Sequence, residues 1–431
     1  MPLISRRAFS TLLPPPIPRL RYGGAQPGEA DYLHGQAVKV AWLWANPVEK
    51  LLYVVAIGLW PVTALALAVW TTLRSGSRVE AQFGRSPTRQ IAEQMHLALR
   101  FGIPAPWYYT FELWRDELRA RADEYMLRAE IKVYLSKVAR DRRKVRPTRM
   151  PFHSKYRLIN HCLEHQVRAA PYHAVLRKGA FLVQRVPTDS MMSADLFVKP
   201  LVGKGGKGAE CWLLRDDAYQ GAKGQRLSPD ALLQHLKDLS MDHDIIIQPR
   251  LLSHPALRDI GLNALCTVRV VTCENEREQV EVTDAVMRMP RTADAIVDNF
   301  HAGGIAASVD LATGRLGPAT DLGAGLASRW HDLHPVSGAP IKHRLLPYWP
   351  ELMELARAAH RAVSDREMVG WDIAIVEDGP VIIEANGSPD LDIIQRTALA
   401  PVGKARLGKI LSWRLQQVRD RLGDWRPQDA A

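Results

Sequence analysis

Gly370 to Asp392 reads GWDIAIVEDGPVIIEANGSPDLD, two apolar strands either side of Glu377-Asp378-Gly379. Glu384 and Asn386 lie two apart on the second strand, so their side chains share a face. Asp372 sits in the first strand. A three-residue turn, Glu377-Asp378-Gly379 with Gly379 at its αL position, pairs Asp372 with Glu384 and keeps all three on that face. Two carboxylates and an amide oxygen make a hard-oxygen set suited to Mg²⁺, with phosphate completing the shell. A surface hairpin with merely solvated acids conflicts with the apolar character of both strands.

Such a set asks for a polyphosphate, and the sequence upstream offers a place for one. Lys199 ends the apolar run DLFVKP (195–200), and Gly203-Lys204-Gly205-Gly206-Lys207-Gly208 follows. Glycines let backbone amides approach phosphate oxygens, and Lys199 adds a fixed positive charge. No G-K-[ST] follows at the Walker A spacing. Glu210-Cys211-Trp212-Leu213-Leu214 reads as a second strand, so the pattern is a strand–glycine loop–strand flap rather than a Rossmann turn. Further short β-rich runs fall at 181–186, 245–249, 266–273 and 280–289, the last two pairing around Glu274–Gln279, and SVDLATGRLGPAT reads as another hairpin. A helix is expected from Pro350 to about Ser364. The expected class is α/β (α+β), with mixed, largely antiparallel sheets.

Read together, these motifs resemble the ATP-grasp superfamily, and in particular the sugar-transfer-associated ATP-grasp proteins related to alpha-L-glutamate ligases. The resemblance runs from about Pro151 to Gln395. It rests on Lys155 in FHSKYRLIN, FVKPLVGKGGKG, IIIQPRLL, TVRV with Arg269, AVMRM with Arg288, NFHAGGIA at 299–306 and the 370–392 hairpin. It implies two α/β lobes holding ATP between them. Lys155 and Lys199 would contact phosphates beneath a loop of Gly203, Gly205, Gly206 and Gly208. Gln248, Pro249, Arg250 and Leu251 would form the hinge whose backbone reads adenine. Arg269 and Arg288 would hold the transferring phosphate or the acid, and Asn299 and His301 would line the acceptor side. Asp372, Glu384 and Asn386 would bind one or two Mg²⁺ ions, with Mn²⁺ as the alternative.

The implied chemistry is a carboxylate activated as an acyl phosphate and captured by an amine. No nucleophilic Ser or Cys is required. Phosphotransfer on the same fold, and a non-catalytic ATP-binding membrane scaffold, are the competing readings. The subfamily points to cell-surface glycan or polysaccharide biosynthesis, with an amino acid or other acid as one substrate. The acceptor would be an amine or sugar-linked molecule, and sugar-transfer enzymes the protein partners.

Outside that span the chain changes character. Of the net charge of +11, all lies in residues 1–150, which hold 23 Lys/Arg against 12 Asp/Glu; the remainder balances at 34 against 34. Leu51 to Leu73, LLYVVAIGLWPVTALALAVWTTL, is 23 residues without a charge. As a helix it measures about 35 Å, enough to cross a bilayer core. Trp42, Trp44, Trp60 and Trp70 accompany it, and Pro61 leaves a full span and a re-entrant dip both open. Arg74, Arg78, Arg85 and Arg89 follow the run, against Lys39 and Lys50 before it. The positive-inside rule therefore puts the catalytic part in the cytoplasm, at the inner or cytoplasmic membrane. Membrane lipid is the partner expected for this region. The basic run Arg140 to Arg149 carries no nucleic-acid motif and reads as a solvated or lipid-facing stripe.

The expected organisation is an irregular basic tail (1–50), a membrane segment (51–73) and a helical stalk or packing region (74–150). The ATP-grasp domain (151–416) and a tail (417–431) follow. Ser5-Arg6-Arg7-Ala8-Phe9 looks like a twin-arginine start, but the proline-laden residues after it form no apolar region, so export is not expected. Four cysteines without a C-x-x-C pair fit a reduced compartment. His161 and His165 read as ordinary helix packing, His331 and His334 as solvated loop residues, and Trp349 and Trp371 as core or hinge packing.

Overall fold

The alternation of short strands and helices after Pro151 resolves, in the computed structural model, into two seven-stranded sheets. The structure describes residues 30–135, 152, 154–203, 206–222, 224–322, 329–363 and 366–422. The expectations for residues 1–29, for the basic run 140–149, for Lys204 and Gly205, and for 423–431 lie outside those residues.

The first sheet contains β1 (Ala174–Arg177), β2 (Ala180–Gln184), β3 (Leu196–Pro200), β4 (Glu210–Arg215), β5 (Ala218–Gly221), β6 (Arg226–Leu227) and β7 (Ile245–Pro249). Its order is β2-β1-β7-β3-β4-β5-β6, every pair antiparallel. A helix, Pro229–Asp242, covers one face by burying Leu232 and Leu236 against Leu176, Val198 and Ile247.

The second sheet contains β8 (Thr267–Glu274), β9 (Val280–Met289), β10 (Ile305–Val309), β11 (Leu316–Thr320), β12 (Trp330–His331), β13 (Met368–Val376) and β14 (Gly379–Asn386). Its order is β12-β11-β10-β9-β8-β13-β14. Strand alternation gives it two different faces. One carries Val268, Val270, Trp371 and Ile373 against the helices Lys155–Glu164 and Trp349–Ala362. The other carries Val271, Cys273 and Val286 under helices from both ends of the chain. Trp349 and Trp371 are core residues, as expected, each with its indole nitrogen donating a hydrogen bond. His334 is not solvated: it is buried and bonds the Pro290 carbonyl at 2.9 Å, because its loop folds back over the edge of the sheet.

The chain crosses between the sheets twice, side by side. Ala169 bridges to Ile382 of β14, with the Ala170 amide donating to the Ile382 carbonyl, just before β1 begins, and the His254 amide donates to the Ile375 carbonyl of β13 just after β7 ends. Gln248 ties the two connections by donating to the Pro171 carbonyl at 2.8 Å.

The N-terminal third departs from the expected organisation. Residues Ala30–Trp44 form a helix, α1, whose Leu33, Ala37 and Val40 are buried, so this segment is not part of the irregular tail expected over 1–50. The apolar run belongs to a longer helix, α2 (Pro47–Phe83), capped by Asn46 in a capping box with Glu49 and closed by Gly84 at φ 64°. Pro61 sits inside this continuous helix. Of the two forms expected for residues 74–150, a stalk or a packing region, the described residues after 83 take the packed one. They fold back as α3 (Pro87–Phe101) and a short helix, Ala105–Thr110. Gln90 and Gln94 seal the α2–α3 contact by bonding the Gly76 carbonyl and Thr72. This unit then docks on the catalytic body through a buried ion pair, Arg396 to Glu112 at 2.9 Å. At the other end, the helix Arg406–Leu422 runs through the boundary expected at 416.

Candidate active site

The hairpin β13–β14 places its acids as expected but by a different route. Val376 pairs with Gly379, so the turn holds two residues, Glu377 and Asp378, rather than three. Ile383 is then an extra residue in β14, and this bulge restores the pairing of Asp372 with Glu384. The bulge supplies the odd residue that the turn lacks. Gly370 pairs with Asn386, which keeps Asn386 on the face of Glu384.

The neighbouring strands bring two arginines to the same face. Asp372 lies opposite Arg269 of β8, and Arg269 opposite Val286, two residues from Arg288 on β9. Arg269 donates from Nε to Oδ1 of Asp372, and from Nη2 to Oδ2 at 3.1 Å. Arg288 reaches the same Oδ2 at 3.2 Å and Asp298 at 3.4 Å. Asp298 accepts from the Thr267 backbone at 2.7 Å, and Thr267 Oγ1 accepts from Arg288 Nε at 3.0 Å. Burial pushes the Asp372 carboxyl up, but the guanidiniums of Arg269 and Arg288 outweigh it and hold it below the usual carboxylate range. Asp298 goes the other way: burial raises it despite Arg288.

Across the cleft, Lys199 on β3 and Lys155 on the helix Lys155–Glu164 converge. Lys155 is buried and its Nζ donates to the Gly203 carbonyl at 3.5 Å. Desolvation lowers Lys199 to about 8; Glu384 and Asp372 oppose that shift, and Lys155 adds to it. The loop between β3 and β4 closes toward the second lobe. Gly206, at φ 71°, comes so near Val297 that a Cβ would stand 2.9 Å from its methyl group. Gly208 has φ 74° and lies against Pro200. Both positions need glycine, for backbone conformation and for space.

The remaining expected residues separate into groups. Gln248 is buried and Leu251 packs beside Ala170 and Ala374, so 248–251 is the inter-sheet connection. The Arg250 side chain turns to Asp195 and the Asn263 carbonyl, both at 3.3 Å. Asn299 caps a short helical turn, accepting from the His301 amide at 3.1 Å, and His301 Nε2 lies 3.1 Å from Asp392. Asp390 stands beside them and binds Lys132 at 2.7 Å and Arg128 at 2.8 Å, so the N-terminal helices close this end of the site. His161 and His165 bond backbone carbonyls, as packing residues do.

Sequence reading missed Asp298, Thr267, Asp390 and Asp392. Asp298 adjoins the quoted NFHAGGIA, and Asp390 and Asp392 sit within the quoted hairpin stretch, so their acidity was the available signal. Nothing local marks Arg128 or Lys132.

The donor set fits a divalent cation. Among the described residues no side-chain hydrogen bond holds Glu384 or Asn386, so a carboxylate and an amide oxygen remain open, whereas both Asp372 oxygens are taken by Arg269 and Arg288. Oxygen donors of this kind suit Mg²⁺.

One expected outcome follows from Lys199. At pH 8 a lysine lowered to about 8 is about half protonated, and a triphosphate beside it favours the charged form. ATP binding should therefore take up about half a proton at pH 8 and almost none at pH 6. Calorimetry in buffers of different ionisation enthalpy measures this, and Lys199→Met should abolish the uptake.

Comparison with known proteins places the catalytic region. Residues 152–405, more than half of the chain, match the family described as sugar-transfer associated ATP-grasp. No curated protein matches the chain. Among solved structures, D-alanine–D-alanine ligase from Bacillus anthracis is similar at 11% identity and TM-score 0.36, over 63% of this chain and 69% of that one. D-alanyl-alanine synthetase A from Vibrio cholerae O1 biovar eltor str. N16961 gives 10% and 0.35, over 62% and 64%. The ADP complex of purK, N5-carboxyaminoimidazole ribonucleotide synthetase, gives 11% and 0.33, over 55% and 45%.

Proposed function

Since this chain belongs to the sugar-transfer associated ATP-grasp family, we propose that it is an ATP- and Mg²⁺-dependent ligase joining a carboxylate to an amine. The observation that carries this reading is the meeting of Lys155, Lys199 and the glycine loop with Arg269, Arg288, Asp372, Glu384 and Asn386 across one cleft. Cations from the first lobe face acids from the second, which is what a polyphosphate with a divalent cation needs.

Lys155 and Lys199 would hold the β- and γ-phosphates beneath the Gly206–Gly208 turn. Glu384 and Asn386 would hold Mg²⁺, which would supply charge neutralisation for the phosphates, while Asp372 holds Arg269 and Arg288. The substrate carboxylate oxygen attacks the γ-phosphorus, the bond to the β-phosphate oxygen breaks, and ADP leaves. Arg269 and Arg288, pinned by Asp372 and Asp298, would stabilise the charge spread over the transferring phosphoryl oxygens. The amine then attacks the acyl carbon, loses a proton and expels inorganic phosphate. The pair His301–Asp392, with Asp390 alongside, would form the acceptor end. Closing the glycine loop on Val297 would shield the acyl phosphate from water.

The helix α2 supports attachment to a membrane, and the arginines that follow its apolar run, Arg74, Arg78, Arg85 and Arg89, support a cytoplasmic cleft. The family description supports a role associated with sugar transfer.

Phosphate release by the full-length protein, screened with pairs of acids and amines including amino acids and amino sugars, tests the reading. A ligase releases phosphate only when both are present. Phosphate found on the acceptor identifies a phosphotransferase, and no ATP binding at all overturns the assignment.

A further inference from the structure

Over residues 48–73 the exposed surface of α2 is mostly apolar, and Leu51 (64% exposed) and Val54 (53% exposed) widen a stripe that runs along one side. Val48, Leu52, Val55, Leu59, Val62, Leu65, Val69 and Leu73 recur every three or four residues and are between 38% and 82% exposed. They lie on one helical face for about 38 Å. From Trp60 onward the opposite face, with Ala64, Ala68, Thr71, Thr72, Gly76 and Val79, is buried, while residues 47–59 are exposed or half-buried all round. A stripe this long exceeds the apolar patches that soluble surfaces usually leave open. Its flanks are those of a helix at a lipid–water boundary. Trp42 and Trp70 are both about half exposed, with Lys50 Nζ 5.6 Å from the first ring centre and the Arg74 guanidinium 5.2 Å from the second. Arg100, at the end of α3, is exposed as well.

The segments before and after α2 return to the same body. Before it, Tyr32, Leu33, Ala37 and Val40 of α1 share a core with Val271 and Cys273 of β8 and with Leu411. His34 lies 2.8 Å from Glu130 and 2.7 Å from the Asp123 carbonyl. After it, Glu112 pairs with Arg396, and Met126 exchanges two hydrogen bonds with Gln395. A single crossing would separate these flanks by a bilayer.

We propose that α2 does not cross the membrane but lies along one leaflet, its buried face on the protein and its stripe in lipid. It acts as an in-plane anchor on an anionic membrane surface that keeps α1 and the catalytic cleft on the same side. This rests on the reading of the chain as membrane-attached. Lipid is the occupant because the stripe is apolar along its whole length, carries aromatic residues near its ends and is flanked by cations, which matches the layered chemistry of an anionic leaflet.

The test uses the full chain tagged at both ends and expressed in bacteria, with protease added to spheroplasts and to inverted inner-membrane vesicles. Both tags should be cut in inverted vesicles and protected in spheroplasts. An N-terminal tag cut only in spheroplasts overturns the in-plane arrangement while membrane attachment stands. A protein that does not sediment with membranes sinks the attachment itself. In flotation with phosphatidylcholine–phosphatidylglycerol vesicles, the triple variant Leu52→Glu, Leu59→Glu, Val62→Glu should bind at least about tenfold more weakly at an unchanged melting temperature. Unchanged binding, or a wild-type dimer that the triple variant dissociates, would assign the stripe elsewhere and overturn the proposal.

Discussion

Replacing Glu384 by Gln should lower ATP turnover at least about a hundredfold while leaving the fold intact. Glu384 is half-buried, and among the described residues no hydrogen bond holds its carboxylate, so the isosteric amide removes charge without breaking a contact. Two losses follow. The oxygen set facing the phosphates becomes a weaker cation ligand. Lys199 also loses an anion that raises its pKa, so it falls below about 8 and is less charged when phosphate arrives. Phosphate release and a thermal melt on the same preparation measure both halves. Turnover near wild type would remove Glu384 from the site, and a melting temperature lowered by many degrees would make it a structural residue.

The second large effect is on stability. Arg269→Met leaves Asp372 buried with only Arg288 on one of its oxygens. Stranding a buried charge costs about 3–5 kcal/mol, and the remaining bond to Arg288 argues for the lower end. At about 2–4 °C per kcal/mol for a domain of this size, the melting temperature should fall by roughly 6–12 °C. The pH dependence changes sign. In the wild type Asp372 is held below its unfolded value, so its contribution is present above the unfolded pKa and is lost as pH falls through the folded one. In the variant burial prevails, the carboxyl is raised, and stability is recovered as pH falls. The double variant Arg269→Met, Asp372→Leu should melt closer to wild type than the single one, because neither charge is stranded. Melting curves between pH 5 and 8 test all three statements. A single variant that melts like wild type would mean that the ion pair contributes little.

The strand runs were legible because alternation and turn residues are local, and β3, β7, β8, β9, β13 and β14 fall where the sequence places them. The antiparallel hairpin also fixed Asp372 opposite Glu384, although the turn is shorter and a bulge at Ile383 makes up the count. Asn299 shows a limit of the same method: its side chain caps a helical turn, a use that a polar residue next to Gly-Gly does not announce. His334 looked like a loop histidine and is buried, since burial depends on what the loop folds onto.

Sequence alone placed Lys199 before its glycines and Asp372, Glu384 and Asn386 on one face of a hairpin, because strand periodicity and glycine placement are written over a few residues. It also determined that residues 51–73 form a run without a charge. Tertiary structure decided the state of Asp372, whose partner Arg269 is 103 residues away, and the pairing of Arg128 and Lys132 with Asp390 beside His301. It decided too that α2 buries one face and that α1 returns to the catalytic body, which a hydropathy reading cannot distinguish from a span. The physical reason is common to all three: contacts between distant segments follow from how packed surfaces meet, and they leave no periodic mark in the chain.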